Sequence, residues 1–191
     1  MKKDLKVQIV LAGVGGQGIL FASKIFSNLG MRMGLNVLGS ETHGMSQRGG
    51  SVITHLKLGD FRSPLIRTGA ADILYSLDKN ETYRALKFLK KGGICFTNLD
   101  DSESIDKRVL DHLKKKSITF IAYDASRTAE KIGSILSANI VLLGYSVGTG
   151  LVPFAESDIR KVLRAVGRER IRRLNIKSFK MGFKDGEYYL S

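Results

Sequence analysis

One cysteine, three histidines and no apolar run long enough to span a membrane set the first limits on this 191-residue chain. Cys95 alone excludes an internal disulfide. It also excludes a self-contained iron–sulfur cluster, which draws about four thiolates from its protein. The histidines, His43, His55 and His112, have no partner in helical or strand register, which argues against a metal site. The chain shows no secretory signal pattern, so a cytoplasmic location is expected. It has no internal repeat and no low-complexity linker either, and one domain over 1–191 is expected, long enough to bury a core without metal or disulfide staples.

Acidic residues are also in short supply, 18 against 31 lysines and arginines, for a formal charge of +13. That balance suits an acidic protein partner, an anionic substrate or a nucleic acid. The cations occur in small groups (Lys87, Lys90 and Lys91; Lys114 to Lys116; Arg168, Arg170, Arg172 and Arg173) and not in one tract. Helix ends and solvated faces account for most such groups.

The dominant motif is Gly13-Val14-Gly15-Gly16-Gln17-Gly18, which follows the apolar run Val7 to Ala12 and leads into Ile19, Ala22, Ile25, Phe26 and Leu29 at helical spacing. Strand, glycine turn and helix are therefore expected, followed by a second strand over 35–38. A turn without bulky side chains lets backbone N–H groups approach a ligand, with the helix N-terminus aimed at the same place. The G-x-G-x-x-G spacing fits a dinucleotide site. Pattern alone leaves three readings open: a nicotinamide or flavin nucleotide, another anion or a subunit contact, and a structural tight turn.

Residues 39–50, Gly-Ser-Glu-Thr-His-Gly-Met-Ser-Gln-Arg-Gly-Gly, form a polar stretch expected as a loop, with Glu41 inside it and not at the end of a strand. Ser51 to Leu58 reads as a strand with Val52, Leu56 and Leu58 on one face and Ile53, His55 and Lys57 on the other. It follows its predecessor without a helix, so an antiparallel hairpin is expected there. Beyond it, strands over 73–77, 94–97 and 118–123 alternate with helices over 80–89, 104–115, 124–136, 138–147 and 156–166. The tail 176–190 reads as two apolar pieces joined by a turn at Asp185-Gly186. The fold class is α/β, a three-layer Rossmann-like sandwich with a mainly parallel sheet. Ser46 lacks a nucleophile elbow, and His55, His112 and Cys95 read as structural.

The glycine turn followed by Glu41-Thr42-His43-Gly44-Met45-Ser46-Gln47-Arg48-Gly49-Gly50-Ser51-Val52 resembles the gamma-type domain of 2-oxoacid:ferredoxin oxidoreductases. Weaker similarity continues at 139–144 and 175–182. The resemblance implies oxidative decarboxylation of a 2-oxoacid on thiamine diphosphate, transfer of the acyl group to coenzyme A, and electrons passed through iron–sulfur clusters to ferredoxin. Thiamine diphosphate, its magnesium and the clusters belong to a large companion subunit, and no cofactor is expected tightly bound to this chain, which has no G-D-G…N thiamine motif. It further implies a junction with the companion, or an anionic-ligand contact, built from Gly13, Gly15, Gly16, Gln17, Gly18, Glu41, His43, Ser46, Gln47, Arg48 and Gly49, with no catalytic residue on this chain alone. The competing expectations are a free-standing nucleotide-binding oxidoreductase and a basic nucleic-acid-binding module.

Overall fold

A computed structural model of the protein describes residues 5–43, 49–99 and 105–189. Its centre is a six-stranded sheet in the order β2-β3-β1-β4-β5-β6, from strands β1 (Val7–Val14), β2 (Val37–His43), β3 (Ser51–Leu58), β4 (Ala71–Ser76), β5 (Leu89–Asn98) and β6 (Thr119–Tyr123). β1, β4, β5 and β6 run parallel, whereas β3 lies antiparallel between β1 and β2. The expected hairpin is thus present, and it separates the first strand from the second.

Strand alternation sends Val7, Ile9 and Leu11 into one apolar cluster and Val10 and Ala12 into another, one on each face of the sheet. The first face is covered by α1 (Ile19–Arg32), α4 (Ala125–Ile132), α5 (Ala138–Gly148) and α6 (Glu156–Ala165). The second is covered by α2 (Lys79–Ala85), α3 (Lys107–Lys115) and Ile66 of the connection after β3. Helix starts follow their side chains. Asp78 accepts from the N–H groups of Asn80 and Glu81, Asp106 from Arg108, and Asp124 from Arg127.

Several boundaries depart from the sequence reading. β2 runs through Glu41 to His43, because pairing from Val37↔Leu58 to His43↔Val52 supplies ladder bonds that polar side chains on an edge strand do not oppose. The expected helix over 80–89 ends at Ala85, a short 3-10 turn follows, and Leu89 already belongs to β5. α3 begins at Lys107, with Ile105 buried ahead of it. α4 stops at Gly133, which takes the left-handed conformation that glycine adopts freely.

The largest correction is at the C-terminus. In place of two pieces and a turn at Asp185-Gly186 there is one helix, α7 (Glu169–Glu187). α5 is buried on nearly every side and α7 lies against it in the same direction. Gly182 and Gly186 on α7 meet Gly144 and Gly148 on α5. A Cβ on any of the four would come under 3.0 Å from a carbonyl oxygen of the facing helix. Glycine here serves close backbone approach, which the Asp-Gly pair alone cannot distinguish from a turn. Tyr123 at the end of β6 donates to Asp185 at 2.5 Å and ties α7 to the sheet.

Gly182→Ala is therefore expected to destabilise the protein by about 3 kcal/mol or more, since backbone and not a movable side chain must yield. Gly39→Ala, whose Cβ would meet Leu56 at an ordinary 3.7 Å, is expected to stay within about 0.5 kcal/mol. Urea unfolding of both variants measures the contrast.

Candidate subunit-junction site

The glycine turn sits at the carboxyl end of β1, where the sheet order reverses: the chain leaves β1 toward β2 on one side and β4 toward β5 on the other. Ligands of open α/β sheets bind at such a point. Here the turn is closed by its own atoms. Gln17 accepts from the Val14 N–H through Oε1 at 2.7 Å and donates from Nε2 to the Leu77 carbonyl at 3.2 Å, and its backbone N–H bonds the Val14 carbonyl at 3.1 Å. Gly13 has to be glycine for this, because a Cβ there would stand 2.8 Å from Gln17 Oε1. The Gly15 N–H donates to the Gly50 carbonyl at 2.9 Å. Three of the N–H groups that a pyrophosphate would need are already engaged.

Glu41 separates this turn from a dinucleotide site still more clearly. It pairs in register with Thr54, and Thr54 with Leu11, so Glu41 stands two strands, roughly 10 Å, from β1. A ribose-binding acid belongs on the strand adjacent to β1. The inserted β3 occupies that place.

Gly16 and Gly18 have positive φ, and Gly18 is the N-cap of α1, with no side chain capping it. Asn139 at the start of α5 donates to the Gly18 carbonyl at 2.9 Å, and a Cβ on Gly18 would collide with its amide nitrogen. Gly49, also at positive φ, places its N–H 3.5 Å from where a Gly15 Cβ would lie. The structure therefore brings together Gly13, Gly15, Gly16, Gln17, Gly18 and Gly49. Glu41 and the backbone of His43 lie along β2. Ser46, Gln47 and Arg48 lie outside the described residues, as does the His43 side chain.

Sequence reasoning missed the supports beneath this edge. Ser51 donates to Glu81 at 2.5 Å, and Arg84 donates to the other carboxylate oxygen. Glu81 is 2% exposed, three residues after the Asp78 cap, a capping-box spacing that could have flagged it. A cleft of about 250 Å³ opens beside Gly16 and Gln17, reaching Leu77, Asn98 and Ser126. Asn98 and Ser126 bond each other through two contacts of 2.9 and 3.0 Å. Its rim carries Ile135 and Leu136, 57% and 73% exposed.

The pyruvate ferredoxin/flavodoxin oxidoreductase family model matches residues 8–184. The chain belongs to that family. Indolepyruvate oxidoreductase subunit IorB of Archaeoglobus fulgidus is 38% identical over 94% of both chains. The IorB subunit of Thermococcus kodakarensis is 35% identical, over 92% of this chain and 94% of its own. The crystal structure of the keto/oxoacid ferredoxin oxidoreductase gamma subunit from Geobacter sulfurreducens superposes with a TM-score of 0.75 at 25% identity, covering 95% of this chain and 99% of that one.

Elsewhere in this pyruvate ferredoxin/flavodoxin oxidoreductase family member, the remaining candidates are structural. His55 accepts the Ile66 N–H through Nδ1 and packs edge-on against Phe88; burial first, then Lys57, lowers its pKa. Cys95 is fully buried in β5, and that burial pushes its thiol pKa up, which disfavours the reactive thiolate. No three His, Cys, Asp or Glu side chains among the described residues gather around a metal position. No helix among them is long and apolar enough to cross a membrane.

Gln17→Ala leaves the Val14 N–H and the Leu77 carbonyl without partners and is expected to cost about 1–3 kcal/mol, read by urea unfolding.

Proposed function

We propose that this chain is the small, non-autonomous subunit of a 2-oxoacid:ferredoxin oxidoreductase that takes indolepyruvate or another aryl pyruvate. The complex converts a 2-oxoacid and coenzyme A to carbon dioxide and acyl-CoA, and the two electrons released pass to ferredoxin. Thiamine diphosphate, its magnesium and the iron–sulfur clusters reside on the companion subunit. One buried thiol in a strand does not fit a cluster, and no carboxylate set on the described residues fits a metal-held diphosphate. No step of the decarboxylation is therefore assigned to this chain's side chains.

One observation carries the reading: a glycine turn closed by Gln17 and by Gly50, beside an exposed apolar rim. A turn whose N–H groups are spent internally offers shape more than charge, and exposed aliphatic residues beside it suit a lasting protein contact. Leu20, exposed at the start of α1, adds to the same edge. The companion subunit is the occupant we assign to it. On chemistry alone, Ser46, Gln47 and Arg48 are the side chains proposed to meet an anionic group such as the phosphates of coenzyme A.

Co-expression with the companion subunit tests this. The wild-type pair is expected to co-purify and to reduce ferredoxin in an aryl-pyruvate- and coenzyme-A-dependent manner. Leu136→Glu, on an exposed site of little consequence for folding, is expected to weaken co-purification at least tenfold. Wild-type retention of the companion by that variant would remove the cleft rim from the junction.

A further inference from the structure

α7 carries a second surface of different chemistry. Arg170, Arg173, Lys177, Lys180 and Lys184 recur at spacings of three and four and are all exposed. At 100° per residue they fall within an arc of about 80°, and they span about 21 Å of helix. The row faces away from the contact with α5: Asn175, Ser178, Phe179, Gly182 and Gly186, the buried side, lie on the opposite arc. Each neighbouring pair in the row is a like-charge contact that an isolated helix resists.

Two of the three cations of α6 are neutralised locally, Arg160 by Glu156 and Lys161 by Asp158, and Arg164 is the exception. On α7 only Arg173 has such a partner, Glu169, and both are largely exposed. Among the described residues no carboxylate pairs with Arg170, Lys177, Lys180 or Lys184. Unlike the edge around Leu136, the row holds no apolar side chain.

Resting on the function proposed above, we infer that this row is the docking surface for the acidic electron carrier that accepts the complex's electrons. The two surfaces divide by lifetime. A permanent subunit contact buries apolar area, whereas a carrier that arrives oxidised and leaves reduced needs fast encounter and weak hold, which a solvated charge row provides. Nucleic acid fits less well. No exposed aromatic residue stands between Arg170 and Lys184 to stack on a base, and one straight row of five cations tracks few phosphates.

The test uses the assembled complex carrying Lys177→Glu and Lys180→Glu together, with Lys177→Arg as the charge-conserving control. A ferredoxin or flavodoxin of net negative charge and the dye methyl viologen serve as alternative acceptors. The reversal is expected to raise KM for the protein carrier at least tenfold at low salt, to flatten the dependence of kcat/KM on ionic strength, and to leave turnover with methyl viologen unchanged. The control keeps the wild-type KM. An unchanged KM for the carrier overturns the inference. So does failure of the variant to assemble, which would put the companion on the row, and so does wild-type binding of a duplex DNA probe at physiological salt that the variant loses. If the parent reading is wrong, the wild-type complex turns over neither acceptor, and the docking surface falls with it.

Discussion

The hydrogen bond from the Gly15 N–H to the Gly50 carbonyl joins the two segments that make this chain distinctive. It forms because β3 lies antiparallel beside β1, so that the start of the glycine turn and the end of the polar stretch arrive at the same point, Val14 opposite Ser51. Once β3 holds that position, β2 is displaced to the sheet edge and Glu41 with it. Gln17 then closes the turn through its bonds to Val14 and Leu77. One topological choice therefore converts a nucleotide-binding pattern into a closed, shaped corner, and Glu81 holds that corner from below through Ser51.

Behind the corner the packing is built for rigidity. α5 begins against Gly18 through Asn139 and passes over Leu77 and Tyr75, whose hydroxyl bonds Ser146. α7 then lies on α5 at glycine-to-glycine distance. The turn therefore rests on a helix that is itself clamped, and its geometry comes from the whole first face of the sheet. The same arrangement leaves the outer side of α7 free, and there the cations gather.

Much of the fold was legible from periodicity. β1, β3 and β6, α1, α5 and α6 lie close to where apolar spacing puts them, because each buries one face or, for β1, β3 and α5, more than one. What escaped had weaker signals. The end of β2 is set by partners on β3 and not by its own polar residues, and α7 owes its form to glycines that mimic a turn. The motif pair Gly13 to Gly18 and Glu41 to Val52 pointed to the family, which the match over residues 8–184 establishes. Of the site, the glycines and Gln17 were legible. Ser51, Asn98 and Ser126 were not, since their roles come from contacts that no spacing along the chain encodes, and Glu81 was signalled only as the third residue after the Asp78 cap and not as the partner of Ser51.

The central claim is that the G-x-G-x-x-G turn is satisfied by its own protein and does not take a dinucleotide. Calorimetric titration of the isolated chain with NADH, and in parallel with FAD, measures this directly. No saturable heat is expected up to about millimolar ligand, where a site worth roughly 4 kcal/mol would register. Saturable binding of either ligand in the micromolar range would contradict the claim.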